Sequence, residues 1–166
     1  LGPDHPNTLT SRNNLATALN DLGEHQQAVD LHQQLLAGRQ RVLGPDHPDT
    51  LTSRNNLALA LNDLGEHQQA VDLHQQTLAD LERVLGPDHP NTLTGRNNLA
   101  LALNDLGEHQ QAVDLHQQTL AGRQRVLGPD HPNTLTSRNN LASARARLAG
   151  GGRRRWWQLP RRGESA

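Results

Sequence analysis

The chain has no cysteine, methionine, phenylalanine or tyrosine, and its only aromatic residues are Trp156 and Trp157. Lysine and isoleucine are absent as well. Without cysteine there can be no disulfide, no thiolate nucleophile and no Cys-based zinc site, which fits a cytoplasmic protein. No run of 18 apolar residues occurs, so no membrane span is predicted. No signal peptide is visible, although the chain opens at a repeat boundary without Met and reads as a fragment, so targeting signals can lie upstream. Hydrophobic residues make up 33% of the chain, low for a globular core and better suited to an elongated stack. Arginine and alanine are used freely where lysine and isoleucine are missing, a bias that suits a GC-rich bacterial genome or a consensus design.

What the chain does have is a repeat. The hexapeptide LGPDHP begins at Leu1, Leu43, Leu85 and Leu127, each 42 residues after the last. Units 1–42 and 85–126 differ only at Ser11/Gly95, Thr17/Leu101 and Leu35/Thr119. Unit 43–84 departs mainly at Asp49 and in Asp80, Leu81 and Glu82. A half unit, 127–149, follows as a capping helix, and 150–166 forms a Gly/Arg-rich tail expected to be disordered. A strict period of this length overrides the prior of a single globular domain, because each unit then packs mainly on its neighbours. The net charge of −1 hides an asymmetry: residues 1–149 carry 11 Arg against 16 acids, and the tail carries 5 Arg against Glu164. The repeat region is mildly acidic, so nucleic acid is not expected to bind it.

Each unit reads as two helices. The segment Gly44-Pro45-Asp46-His47-Pro48 is rich in breakers; Gly44 suits the position after a helix, and Pro48 fits the first turn of the next. Asp46 or His47 would sit near the cap. In the first unit this predicts a helix A over roughly residues 6–22 and a helix B over roughly residues 24–43, separated at Gly23. On a helical wheel Leu9, Leu15, Ala16, Ala18, Leu19 and Leu22 share one half of helix A, opposite Thr10, Asn13, Asn14, Thr17, Asn20 and Asp21. Helix B collects Ala28, Val29, Leu31, Leu35, Leu36, Val42 and Leu43 on one face, with Gln26, Gln27, Asp30, Gln33, Gln34, Gln40 and Arg41 opposite. Two such helices pair antiparallel, and further copies cover what remains exposed. The fold class is therefore an all-α helical-repeat solenoid.

The pattern NNLAxALNDLGEHQQAVDLHQQTLA resembles the tetratricopeptide repeat in the 42-residue form of kinesin light chains. Leu15, Ala16 and Leu19 in helix A, Gly23 at the turn and Ala28 in helix B carry the match over residues 1 to about 149. Positions that in the family usually hold aromatics carry His25 and His32, and a later small position carries Leu35, Thr77 or Thr119. The resemblance implies a right-handed superhelix of antiparallel helix pairs, with a concave groove that is lined by A helices and receives an extended peptide.

Ten histidines invite a metal or catalytic reading. His25 and His32 lie two turns apart, roughly 10 Å, too far to share one ion, and no HxxxH or HExxH spacing occurs. Their places on the apolar face of helix B, repeated at His67, His74, His109 and His116, predict buried neutral imidazoles standing in for aromatics. His5 and its copies fall in the loop, where capping is the expected role. No metal site, cofactor, phosphate-binding Gly loop or nucleophile–base pair is read from the chain, so it is not expected to be an enzyme. Arg12, Arg54, Arg96 and Arg138 fall inside the apolar arc of helix A. Because an unpaired buried charge is costly, each is expected to reach an edge or pair with an acid of a neighbouring helix.

Asn13 and Asn14 recur four times as a pair although Asn is a poor mid-helix residue, so something tertiary compensates. Two roles stay open: holding a peptide backbone, and bridging adjacent repeats. If helix A lines the groove, the candidate peptide-binding residues are Thr10, Asn13 and Asn20; Thr52, Asn55, Leu59 and Asn62; Thr94, Asn97, Leu101 and Asn104; and Asn139. Leu59 and Leu101 would be apolar spots in this otherwise polar stripe. In the last unit Arg145 replaces the core leucine and no helix B follows. The tail's RRRWWQLPRR could suit an anionic membrane or nucleic acid, and a disordered or non-native terminus is the plainer reading. The function expected is a scaffold that binds a peptide or partner protein in its groove. The alternative is a structural spacer or a rod that self-associates end to end.

Overall fold

The computed structural model describes residues 2 and 5–156, with side chains as far as residue 150. Seven helices and no strand occur among the described residues. They are α1 (Pro6–Asp21), α2 (His25–Leu43), α3 (Pro48–Asp63), α4 (His67–Leu85), α5 (Pro90–Leu106), α6 (His109–Leu127) and α7 (Pro132–Trp156). The odd-numbered helices are the A helices and the even-numbered ones the B helices.

Local chemistry sets the helix ends. Each A helix opens on proline, which has no N–H to leave unpaired. Each is capped by the preceding histidine, as the loop position suggested. The Nδ1 atoms of His5, His47, His89 and His131 accept the N–H of the residue two further on, at 3.1, 3.2, 3.1 and 3.1 Å. A bond accepted at Nδ1 leaves the ring proton on Nε2. At the turn from α1 to α2, Gly23 adopts φ 83°, a left-handed conformation that disfavours any side chain. There the N–H of Glu24 donates to Leu19 O at 2.9 Å and that of Gly23 to Asn20 O at 3.0 Å, which satisfies the last carbonyls of α1.

The core lies between units as much as within them. Val29 of α2 packs with Leu57, Ala60 and Leu61 of α3 and Ala70 of α4. The same arrangement recurs with Val71 and Leu78 of α4 against Leu99, Ala102 and Leu103 of α5, and with Val113 of α6 against Leu141 and Ala144 of α7. Each helix packs on the next in sequence, and the A helices of successive units also meet, α3 with α5 and α5 with α7. The A helices are thus drawn together on one side of the stack, which makes that side the inner one.

Three expectations need correction. Leu15 and Leu22, assigned to the apolar face of α1, are 54% and 78% exposed, whereas Leu57, Leu99 and Leu141 at the position of Leu15 are at most 7% exposed. A preceding B helix covers the later three, and among the described residues none precedes α1. Val42 and Leu43 are also exposed, at the end of α2, where they line a shallow cleft with Pro6, Leu9 and His47. Finally, α7 runs through Gly150, Gly151 and Gly152 to Trp156, past the point where a linker was expected to open. Glycine disfavours a helix interior by only about 1 kcal/mol relative to alanine. The remainder of the tail, with Trp157, lies outside the described residues.

Candidate functional site

On the inner side, the paired asparagines bridge repeats. Asn56 Nδ2 donates to Asn13 Oδ1 at 3.1 Å, Asn98 Nδ2 to Asn55 Oδ1 at 3.3 Å and Asn140 Nδ2 to Asn97 Oδ1 at 2.9 Å. Each bond spans 43 residues, one full unit plus one, so the second asparagine of one helix meets the first of the helix before it. A second ladder runs lower on the same helices. Asn20 Nδ2 donates to Asp63 Oδ2 at 2.5 Å and Asn62 Nδ2 to Asp105 Oδ2 at 2.9 Å. The carbonyl oxygens of Asn20, Asn62 and Asn104 in turn accept from Nδ1 of His25, His67 and His109, at 2.8, 3.0 and 3.3 Å.

The histidines therefore divide into two sets that the wheel could not separate. His25, His67 and His109 sit at the first position of each B helix, half-buried and hydrogen-bonded, not enclosed as expected. His32, His74 and His116, one set deeper, are buried, and both ring nitrogens of His74 and His116 lack a partner. Burial lowers the pKa of His32 and brings that of His74 down to about 4. His116 is lowered by burial first and then by the nearby positive charge of Arg123.

The A-helix arginines of the two inner units pair with acids. Arg54 meets Asp80 at 2.6 Å, and Arg96 meets Glu82 at 2.6 Å. Both acids belong to the stretch that sets the second unit apart. Arg138 is exposed, and Arg12 is half-buried. Asp80 is further held by Arg83, and these two hydrogen-bonded arginines keep its carboxyl below the usual carboxylate range. Arg83 also grips Asp46 in the loop that opens its own unit, and Arg125 grips Asp88 in the same way one unit on.

The candidate groove residues do not form one uniform strip. Thr52, Asn55 and Thr94 gather around a cleft of about 170 Å³ between α3 and α5. Leu101 and Asn104 line a second, of about 200 Å³, with Asn140, Ser143 and the Asp105–Arg147 ion pair. Thr10 lies in a third, beside Arg39 and Asp49. Asn97 and Asn104 are only 8% and 7% exposed, and Asn13, Asn55 and Asn97 already accept from the next repeat. Leu59 and Asn62 are half-buried, and Asn139 is exposed. The amides thus serve first to hold the stack together. Replacing Asn56 by Ala should lower stability by about 1 kcal/mol, seen as a lower denaturant midpoint at unchanged slope. An unchanged midpoint would mean that the bond contributes nothing.

A tetratricopeptide-repeat family model matches residues 7–83, 55–124 and 95–150. The chain belongs to the tetratricopeptide-repeat family. It is similar, at 34% identity and a TM-score of 0.80, to the crystal structure of nearly identical TPR-like repeats of a Podosopora anserina protein described as a kinesin light chain. That match covers 87% of this chain and 69% of the other. The fold is shared with BtubC (BKLC) from P. vanneervenii at 19% identity, with a TM-score of 0.67 over 96% of this chain and 69% of that one. It is shared too with the Sgt2 TPR domain from Aspergillus fumigatus at 18% identity, with a TM-score of 0.62 over 98% and 90%. No curated protein sequence matches the chain significantly. Tetratricopeptide repeats are protein-interaction scaffolds. In this one no helix of the described residues is long and apolar enough to cross a membrane, and no group of three potential ligands among them could hold a metal ion.

Reading one helix at a time misses the residues that join neighbouring units. Arg39 of α2 donates to Asp49 O at 2.9 Å and Ser53 Oγ at 2.7 Å in α3, and Arg123 of α6 does the same with Asn133 O and Ser137 Oγ in α7. The available signal was the joint change of two positions: where unit 43–84 exchanges this arginine for Leu81, the following serine becomes Gly95.

Proposed function

We propose that the chain is an interaction scaffold that holds an extended peptide or partner segment along the inner face of its A helices. The observation that carries the reading is the pair of clefts opening between successive A helices, each combining an apolar side chain with amides or hydroxyls. Such a surface suits a peptide, whose backbone needs hydrogen-bond partners and whose side chains need somewhere dry. The likeness to kinesin-light-chain-type repeats supports the same use here.

A library of random linear peptides displayed on phage, selected against the chain, tests this. Enriched peptides are expected to lose at least about tenfold in affinity, ~1.4 kcal/mol, when Leu59 and Leu101 are both replaced by Glu. Gln68→Ala and Gln75→Ala, on the exposed face of α4, should leave affinity unchanged, and melting curves should show every variant folded. Binding that ignores the two charges would move the partner to the outer face or the loops. A selection that enriches nothing would remove the proposal.

A further inference from the structure

The three junctions between units are not chemically alike. At the first, the Arg39 guanidinium crosses from α2 to α3 and is held by Asp49 O and Ser53 Oγ. At the third, Arg123 is held by Asn133 O and Ser137 Oγ at 3.0 and 2.9 Å. At the second junction Leu81 stands in place of the arginine and Gly95 in place of the serine. The two changes depend on each other. A Cβ built on Gly95 would lie 2.9 Å from Leu81 Cδ1, too close for a side chain without a shift. Leu81 itself is 2% exposed, packed where a guanidinium passes at the sister junctions.

The cleft of about 170 Å³ between α3 and α5 lies at this junction. Asn91 and Gly95, which correspond to the two residues that hold the guanidinium elsewhere, both line it. Its floor is Leu51 and Leu81, both buried, and its rim is Thr52, Asn55 and Thr94. A site of this size is comparable with a cavity of about 150 Å³ that accepts benzene. Polarity decides what can enter. The serine hydroxyl is gone, the floor is aliphatic, and the nearby acids Asp80 and Glu82 are taken by Arg54 and Arg96. None of the residues lining the cleft is charged, so an incoming cation or carboxylate would lose its water to two leucines without a counter-charge in the lining.

We propose that this cleft is a specificity pocket for one uncharged apolar side chain, leucine-sized or a little larger, of a segment lying on the inner face. The proposal rests on the groove reading above and deepens it. The rim hydroxyls and the Asn55 amide lie where they can bond the backbone on either side of that residue. The corresponding clefts at the sister junctions carry a guanidinium in their lining, Arg39 beside Leu9, Thr10 and Asp49 and Arg123 beside Leu93, Thr94 and Asn133, so the middle cleft is the one that Leu81 makes uncharged.

The test uses small probes and the full chain. Titrating the ¹⁵N-labelled chain with N-acetyl-leucine N-methylamide should give saturable shifts at the Gly95 and Asn91 amides, with the arginine and aspartate analogues giving none. Gly95 has no counterpart in the other A helices, so its signal stands apart from the repeat. The double variant Leu81→Arg, Gly95→Ser recreates the pair used at the other two junctions and should abolish the shifts while keeping the fold. Thr94→Glu, an exposed change at the rim, should weaken them at least tenfold without touching the core. Preferential binding of the arginine analogue, no saturable shift with the leucine one, or shifts that survive both variants would each overturn the pocket. Because the probes are single residues, a failed peptide selection combined with a positive titration would sink the groove reading and leave the pocket standing.

Discussion

Acidification should begin to destabilise this chain before its carboxylates titrate. His32, His74 and His116 are enclosed in the core, and burial lowers all three from the ordinary 6.5, His74 to about 4. In the unfolded chain these imidazoles return to about 6.5. Above that value both states hold them neutral and stability is complete. Below it the unfolded state binds protons that the folded state refuses, so stability falls as pH drops from 6.5 toward the folded values. For His74 alone the loss reaches about 2 kcal/mol by about pH 5 and roughly 3 kcal/mol by the folded pKa. The other two add to it, against a total of 5–15 kcal/mol typical of folded domains. Melting curves between about pH 8 and about pH 4 check this, and His74→Leu should flatten the dependence by about one proton. A melting temperature that stays level or climbs on acidification would show that the imidazoles find partners.

Deleting α7 should be nearly as damaging. Truncation after Val126 would bare Val113 and Leu120, which pack on Leu141, Ala144 and Leu148. It would also remove the bonds of Asn140 to Asn97, Arg123 to Ser137 and Arg147 to Asp105. Burying a leucine contributes about 1.5–3 kcal/mol, and each kcal/mol shifts the melting temperature by about 3 °C in a chain of this length. A drop of about 10 °C or more, or association through the uncovered face, is expected. Truncation after Ala149 keeps every one of these groups and should change the melting temperature by no more than about 2 °C. If the shorter deletion proves the harmful one, the arginine–tryptophan tail is docked.

Most of what depends on a single turn or one helix was legible in the sequence, the run of α7 through Gly150, Gly151 and Gly152 excepted. Pro6 and His5 marked a start, Gly23 an end, and the spacing of Leu9, Ala16, Ala28, Val29 and Leu35 the enclosed side. The wheel put His25 and His32 on one face, and they do share one. It could not show that His25 stands at the helix start within reach of Asn20 while His32 is walled in. The candidate site was harder to read for the same reason. Asn13 and Asn20 look toward partners 43 residues away, on a helix whose offset is fixed only by how the units stack. A repeat makes such pairs recur, but its sequence alone does not say whether a recurring polar side chain faces solvent, a ligand or its own copy.

The two ladders give the stack a direction. At one end α1 presents Asn14, the counterpart of the donors Asn56, Asn98 and Asn140, and Asp21, the counterpart of the acceptors Asp63 and Asp105, beside bare Leu15 and Leu22. At the other, Ala146 and Arg147 replace the asparagine and aspartate of the second ladder, and Arg147 turns back onto Asp105. Among the described residues the two outer faces of the stack are therefore chemically unlike: the α1 face carries an amide, a carboxylate and two bare leucines, and the α7 face an ion pair already closed on the unit before it.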